Sequence, residues 1–190
     1  MKTKLKRSAR RSKLRRPRAA ARITRQPAAI ELKSAALSLR SILVPVDFSG
    51  ESMKALKYAV SLAHQYGAKI TLLNVVEPTG YPDFAYFPLT MENEKVMKSA
   101  RGQLDLLCKR EAIDPKLMER TLVRHGVPFH EITDAARTLK SDLIIIATHG
   151  YTGVKHALIG STAERVVRHA PCPVLSVRET ERDFLPTPVS

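Results

Sequence analysis

One apolar run, Asp142–Ala147 (DLIIIA), constrains the fold of this chain more than any other segment. Its five consecutive apolar residues leave no polar face, so a strand formed by them must be covered on both sides. Two earlier runs of strand length, Ile42–Val46 and Ile70–Val76, are nearly as continuous. Strands buried on both faces are typical of parallel sheets, in which crossover helices cover the two faces. The runs therefore predict an α/β fold.

Segments with a helical spacing of apolar residues separate the predicted strands. The predicted helices are Ser49–Tyr66, Met91–Glu111, Val127–Lys140 and Thr162–His169, and two weaker strands are predicted at Leu117–Val123 and Val174–Val177. Regular alternation of strands and helices indicates repeated βαβ units. The sequence therefore predicts a doubly wound α/β domain, with a five-stranded parallel sheet in the order 3-2-1-4-5 and helices on both faces.

The positive charge of the chain is concentrated in its first 40 residues. This segment holds 14 Lys and Arg and a single acid, Glu31, while the whole chain carries a formal net charge of +14. Like-charge repulsion and scarce apolar residues keep such a segment from burying enough surface to offset its ordering entropy. We predict a disordered basic tail over residues 1–40, a folded domain over residues 41–178 and a short C-terminal extension over residues 179–190.

Three interpretations of the basic tail stay open. The Lys and Arg side chains of residues 2–25 can contact nucleic acid or polyphosphate without sequence preference, because binding releases counterions from the phosphates. The absence of aromatic residues from this segment argues against stacking on single-stranded bases. Its Arg and Ser content without acids also resembles an organellar transit peptide, and a solvated extension without a partner is the third interpretation.

Cysteine usage and the longest apolar runs indicate the class of protein. Cys108 and Cys172 are far apart and lack metal-ligand spacing, so we expect a reduced, cytoplasmic protein without a metal site built from its side chains. No apolar run approaches the length that spans a bilayer, so we expect no membrane partner. The near-neutral charge of residues 41–190 argues against a basic nucleic-acid-binding domain.

Distinctive residues follow two of the predicted strands. Asp47 follows the first strand, and the tripeptide THG at residues 148–150 follows the fourth. In open parallel sheets, ligands bind beyond the carboxyl ends of the strands, where the strand order reverses. The glycines after the fourth strand allow backbone N–H groups to approach a phosphate, and Gly160-Ser161 opens a helix whose N-terminus favours an anion. This arrangement predicts a ligand that carries phosphate.

Three segments of the chain closely resemble the universal stress protein family, of the UspA-like, ATP-binding type. These segments are ILVPVDFS, LLNVVEP and IIIATHGYTGVKHALIGSTAERVVRHAPCPVLSV, and the resemblance covers roughly residues 41–178. Nucleotide-binding members of the family carry the pattern G-x2-G-x9-G-[ST]. Here Gly150, nine further residues and Gly160-Ser161 match this pattern, while Ala147 replaces the first glycine.

The resemblance implies a site for ATP at the carboxyl end of the sheet. The first two strand ends would line the adenine and ribose, and the glycine loop and the next helix would hold the phosphates. Carried over by position, the nucleotide-binding residues are Pro45, Val46, Asp47, Val75, Ala147, Thr148, His149, Gly150, Tyr151, Thr152, Gly153, Gly160, Ser161, Thr162 and Ala163. Mg²⁺ would be bound mainly by the phosphates, and the last strand, Val174–Val177, would pair with its copy in a homodimer.

The resemblance also implies a stress-response binding or signalling module whose state depends on ATP or a related nucleotide. The alternative is a slow ATP hydrolase or a phosphotransfer enzyme that uses the same pocket. No Walker A lysine accompanies Gly160-Ser161, and no nucleophile with an orienting partner accompanies His149 or His156. A third alternative is an interaction protein that keeps the fold and does not bind nucleotide.

Three of these site residues have local structural interpretations as well. Ser161 and Glu164 have the spacing of a capping box, which would explain the serine without a ligand. Asp47 could instead cap the first helix. Ala147 costs little if its φ is negative, and on the order of 1 kcal/mol if its φ must be positive. Because Ala147 ends a predicted strand, we expect a negative φ.

The charge distribution predicts that any DNA affinity of the full chain resides in the tail. Deleting residues 1–40 should abolish binding to a short DNA duplex, and the affinity of the full chain should fall steeply as salt rises. Fluorescence anisotropy at several salt concentrations measures both effects. Binding of DNA by the truncated protein would contradict the assignment of this affinity to the tail.

Overall fold

The computed structural model describes residues 37–78, 89–148 and 160–178, and these form a five-stranded parallel sheet with four helices. The strand order is β3-β2-β1-β4-β5, and each neighbouring pair is parallel. The elements are β1 (Ser41–Pro45), α1 (Gly50–Tyr66), β2 (Lys69–Val76), α2 (Leu89–Arg110), β3 (Met118–His125), α3 (Pro128–Leu139), β4 (Leu143–Ala147), α4 (Ser161–His169) and β5 (Val174–Val177). This architecture confirms the predicted fold.

Two apolar clusters cover the two faces of the sheet. Alternation along β1 sends Ile42 and Val44 into one cluster and Leu43 into the other, and all three are fully buried. The first cluster includes apolar residues of α1 and α2, and the second includes those of α3 and α4. Each fully buried side chain of this size stabilises the fold by about 1.5–3 kcal/mol. The absence of a polar face in the central strands is thus explained by helices on both sides.

A carboxylate at the amino end of the sheet holds the start of the domain. Asp142 Oδ2 accepts hydrogen bonds from the backbone N–H groups of Arg40, at 2.8 Å, and Ser41, at 3.0 Å. Leu39 packs into the first apolar cluster with 8% of its surface exposed. Packed structure therefore begins upstream of residue 41, and a truncation designed to remove only the tail should end at residue 36. The rest of the predicted tail, and residues 179–190, lie outside the described residues.

The helix ends show which local signals determine the structure. Pro128 occupies the first turn of α3, where its missing N–H is not needed. The predicted capping box of Ser161 and Glu164 is wrong: Gly160 is the N-cap of α4, and no side chain caps this helix. Ser161 is already helical, and the Glu164 carboxylate instead contacts Arg168 at 2.7 Å.

Within residues 37–78, 89–148 and 160–178, no helix combines the length and the apolar character needed to cross a bilayer.

Candidate functional site

A cleft of about 230 Å³ opens at the carboxyl ends of the central strands. It lies between the ends of β1 and β4, where the strand order reverses, as expected for a ligand site in a doubly wound sheet. Predicted site residues that line it are Pro45, Val46, Asp47, Val75, Ala147, Thr148, Gly160, Ser161, Thr162 and Ala163. The other predicted site residues, His149, Gly150, Tyr151, Thr152 and Gly153, lie outside the described residues.

Six further residues that were not predicted from the sequence also line the cleft. They are Ser52, Leu73, Glu77, Pro128, Ile132 and Ile146. Leu73 lies two positions before Val75 in β2, so strand alternation could have placed both on the same face. The residues of α3 carry no comparable signal, because their position depends on packing between helices distant in sequence.

The turn after β1 is held by a chain of hydrogen bonds that begins at Asp47. Asp47 Oδ1 accepts from the Ser49 backbone N–H at 3.0 Å and from Ser49 Oγ at 2.5 Å. Ser49 Oγ in turn accepts from the Ser52 N–H at 3.2 Å and so caps α1. The alternative prediction that Asp47 caps α1 is therefore wrong, because Ser49 is the N-cap and Asp47 braces it.

Phe48, between the two hydrogen-bonded residues of this turn, adopts a left-handed conformation with φ of 65°. A bulky side chain rarely occupies this region, because its Cβ crowds the backbone. Phe48 also packs against the first apolar cluster. The Asp47–Ser49 hydrogen bonds and this packing together hold a strained turn that directs the Asp47 carboxylate to the cleft.

The floor of the cleft is fixed by hydrogen bonds between β1 and β2. The Val46 N–H donates to the Leu73 carbonyl at 2.8 Å, and the Val46 carbonyl accepts from Asn74 Nδ2 at 2.9 Å. Asn74 is buried, so its amide would be costly without this partner. Both backbone groups of Val46 are satisfied, and this residue therefore presents mainly an apolar surface to the cleft.

Thr148 connects β4, β5 and the start of α4. Its N–H donates to the Val177 carbonyl at 2.9 Å, and its own carbonyl accepts from the Gly160 N–H at 2.7 Å. The side chain is almost fully buried. These bonds place the first residues of α4 next to the end of β4, where they line the cleft.

Ala147 fits its position without conformational strain. Among the described residues, the non-glycine residues with positive φ are Phe48, Ala112 and Lys140, so Ala147 has a negative φ, as expected. It is the last residue of β4, and its side chain is buried against the first apolar cluster. Replacement of the family's first glycine therefore imposes no backbone penalty here.

The N-terminus of α4 supplies a positive electrostatic potential to the cleft. The N–H groups at the first turn of a helix lack intrahelical acceptors, and the helix dipole adds about half a positive charge. Ser161, Thr162 and Ala163 form this turn and line the cleft, and Gly160 has no side chain to occupy their N–H groups. The arrangement favours an anionic group at this end of the cleft.

The cleft also carries negative charge, at the ends of two other strands. The carboxylates of Asp47 and Glu77 follow β1 and β2 there. Within the described part of the chain, no group of three or more His, Cys, Asp and Glu side chains could hold a metal ion. Asp47 and Glu77 are therefore the carboxylates that the described part of the cleft offers to a cation.

Both cysteines lie away from this cleft and are partly buried. Burial raises the pKa of the Cys108 thiol, and the nearby Asp105 carboxylate adds to this effect. Burial likewise raises the pKa of Cys172, with a smaller contribution from Asp142. A raised pKa disfavours the thiolate, which is the reactive form, so neither cysteine has the environment of a nucleophile.

Comparison with known proteins identifies relatives of the whole domain. Residues 38–178 match the profile of the universal stress protein family. A universal stress protein of Methanocaldococcus jannaschii is 32% identical over 147 residues, which are 76% of this chain and 85% of that relative. Universal stress protein YxiE of Bacillus subtilis is 31% identical over 144 residues, 72% of this chain and 97% of the relative.

Solved structures share the same architecture. Universal stress protein UspA from Lactobacillus plantarum superposes with a TM-score of 0.63 at 29% identity, covering 75% of this chain and 99% of that chain. A universal stress protein in complex with cAMP gives a TM-score of 0.50 at 21% identity, covering 75% and 98% of the two chains. The second likeness concerns the fold alone.

The hydrogen bonds at the turn predict the effect of replacing Asp47. Asp47→Ala removes the acceptor that braces Ser49 and should lower the free energy of unfolding by about 1 kcal/mol, as loss of a helix cap does. Urea unfolding followed by circular dichroism measures this change. Asp47→Asn retains an Oδ1 acceptor and should lose less, so equal losses in the two variants would contradict this explanation.

Proposed function

The chain belongs to the universal stress protein family, and on this premise we propose that its domain binds ATP or a related adenine nucleotide in the cleft. In this proposal the protein is a stress-response binding and signalling module. The observation that carries the proposal is the position of the α4 N-terminus, which has no side-chain cap and lines a cleft at the strand-order reversal. Such a site combines a surface for a base with donors for phosphates.

The two ends of the cleft differ in a way that suits a nucleotide. Leu73, Val75 and Ile132 offer an apolar surface for a purine ring near the end of β2. The Asp47 carboxylate, at the end of β1, is an acceptor suited to a ribose hydroxyl. The first turn of α4 then supplies N–H groups to the terminal phosphates, together with the Ser161 and Thr162 hydroxyls.

The finer assignments within the site remain proposals. We propose that Ala147 and residues 148–153 wrap the ribose and phosphates, and that Gly160, Ser161, Thr162 and Ala163 hold the terminal phosphates. Mg²⁺ would accompany ATP and be bound mainly by its phosphates, since the described cleft offers only the carboxylates of Asp47 and Glu77. The complex of another universal stress protein with cAMP supports an adenine nucleotide as a ligand for this fold. A cytoplasmic location stays a prediction.

An ATP hydrolase or a phosphotransfer enzyme that uses the same cleft is the competing proposal. Nucleotide that stays bound through gentle purification would distinguish a nucleotide-binding module or an enzyme from an interaction protein without a ligand. A turnover assay with the retained nucleotide then separates the binding module from the enzyme.

Nucleotide binding predicts that a side chain at Gly160 will block the phosphates. Gly160 has φ of −65° and ψ of 150°, a conformation open to any residue, so Gly160→Val should fold normally. The isopropyl group should hinder the approach of phosphate to the α4 N-terminus and reduce ATP affinity by at least about tenfold, a loss comparable to one charge-assisted hydrogen bond. Isothermal titration calorimetry measures the affinity of each variant.

The control for this prediction is Gly50→Val, at the first residue of α1. A Cβ atom at Gly50 meets no other atom within 4 Å, and Gly50 does not line the cleft. This variant should bind ATP like the wild type. Equal affinity in the Gly160→Val variant would remove the phosphate assignment, and a wild type that binds no nucleotide would remove the proposed function.

We further propose that the protein forms a homodimer through β5, Val174–Val177. This strand is at one end of the sheet. The carbonyls of Pro173 and Val177 accept hydrogen bonds from the N–H groups of Ile144 and Thr148. The backbone groups of Val174 and Ser176 therefore point away from β4, to an edge that is open among the described residues. An edge of this kind can pair with a second copy across a two-fold axis. Leu175 packs against the core, so a charge placed there would test folding as well as pairing.

The dimer proposal predicts the effect of removing one donor from the open edge. Ser176→Pro deletes a backbone N–H that points away from β4 and should shift the protein towards monomer without breaking the β4–β5 ladder. Light scattering at micromolar concentration measures the mass, with Ser176→Ala as the control that keeps the N–H group. A monomeric wild type, or a dimer unaffected by the proline, would contradict the proposal.

A further inference from the structure

Arg165 lies on α4, one helical turn after the first residue of the helix, which belongs to the proposed phosphate site. It follows Ser161 by four residues, so the two side chains project from the same side of the helix. Side chains in a helix lean towards its N-terminus, and four residues correspond to only about 6 Å along the axis. An arginine side chain is long enough to bring its guanidinium back to the level of the first turn.

A contact with Phe129 fixes the position of the Arg165 guanidinium. It lies over the Phe129 ring, with Cζ 5.0 Å from the ring centroid. Phe129 is the second residue of α3, directly after Pro128, which lines the cleft. The Arg165 guanidinium is therefore held beside the first turn of α3, next in sequence to a residue that lines the cleft.

The charge of Arg165 is not neutralised by a carboxylate within the described residues. By contrast, Arg168 contacts Glu164 at 2.7 Å, and Arg124 contacts Asp134 at 2.7 Å and Glu131 at 3.3 Å. Stacking over a ring face orients a guanidinium while leaving the N–H donors at its edge available. Arg165 is thus a cation with a fixed position, and the N–H donors at the edge of its guanidinium are available to a ligand.

The ring under Arg165 is itself held by neighbours. The His130 ring lies 3.8 Å from the Phe129 ring centroid, and the His169 ring lies 6.1 Å from it. His169 Nδ1 also lies 2.9 Å from the Arg165 carbonyl oxygen. These contacts join α3 to α4 and restrict the Phe129 ring, which makes it a defined platform for the guanidinium.

We propose that Arg165 is a specificity-determining residue that favours nucleotides with a terminal polyphosphate over the nucleoside. The proposal rests on the proposed function, because it concerns the anionic end of the same cleft. A guanidinium donates two parallel hydrogen bonds to phosphate oxygens and stays charged at any physiological pH. The helix N-terminus alone attracts an anion of any kind, whereas Arg165 adds a second, directional contact for the outermost phosphate.

The test compares two arginines of the same helix. Arg165→Gln removes the unpaired cation, and Arg168→Gln removes the cation paired with Glu164, so both variants lose one positive charge. Isothermal titration calorimetry with ATP and with adenosine measures each affinity. We expect Arg165→Gln to weaken ATP binding by about tenfold, as expected for one hydrogen bond to a charged group, and to change adenosine binding by less than about twofold. Arg168→Gln should change neither affinity by more than about twofold.

Two further variants separate charge from geometry. Arg165→Lys keeps the charge but loses the planar group that stacks and donates in pairs, so it should recover only part of the ATP affinity. Phe129→Leu keeps an apolar residue against the second cluster and removes the ring platform, and it should lower the preference for ATP over adenosine. Thermal unfolding of each variant confirms that it is folded.

The outcomes distinguish this inference from the proposed function. If the wild type binds ATP and the Arg165→Gln variant binds it with equal affinity, the role of Arg165 is overturned and the nucleotide site is retained. Equal losses in Arg165→Gln and Arg168→Gln would also overturn it, because they would reflect general charge. A wild type that binds neither ATP nor adenosine would overturn the proposed function and this inference with it.

Discussion

Burial of the central strands on both faces is the constraint on which the rest of this structure depends. β1 and β4 send successive side chains into opposite apolar clusters, so helices must cover each face. Because the strands are parallel, their carboxyl ends meet at one edge of the sheet. The connections from β1 and β4 lead to helices on opposite faces, since α1 belongs to the first cluster and α4 to the second. The gap between these diverging connections is the cleft.

The parts of the fold that could be predicted are those determined by local pattern. Continuous apolar runs identified the strands, and the helical spacing placed the end of the first helix at Tyr66, where the structure has it. The capping box at Ser161 failed because a tertiary contact decides where α4 begins. The Gly160 N–H donates to the Thr148 carbonyl, and this bond sets Gly160 outside the first turn as the cap.

Only part of the candidate site could be predicted from the sequence, because tertiary contacts determine the rest. Residues at strand ends, such as Asp47 and Val75, are placed by the sheet itself and line the cleft as expected. Ile132 reaches the cleft from α3 and the Arg165 guanidinium reaches the Phe129 ring, and both depend on how α3 packs beside α4. The periodicity of apolar residues within a single helix or strand does not indicate a contact between two helices. The family resemblance supplied residues of the matched motif and could not supply these.

The hydrogen bond between Thr148 and Gly160 has a consequence for how this protein can change over evolution. It joins the two ends of the segment 149–159, so the end of β4 and the start of α4 stay adjacent whatever lies between them. Closing a longer loop is inexpensive, since doubling its length adds only about 0.6 kcal/mol of entropy cost. Changes of length within this segment should therefore cost the scaffold little stability. Any constraint on residues 149–153 would then come from the proposed ligand and not from the stability of the fold.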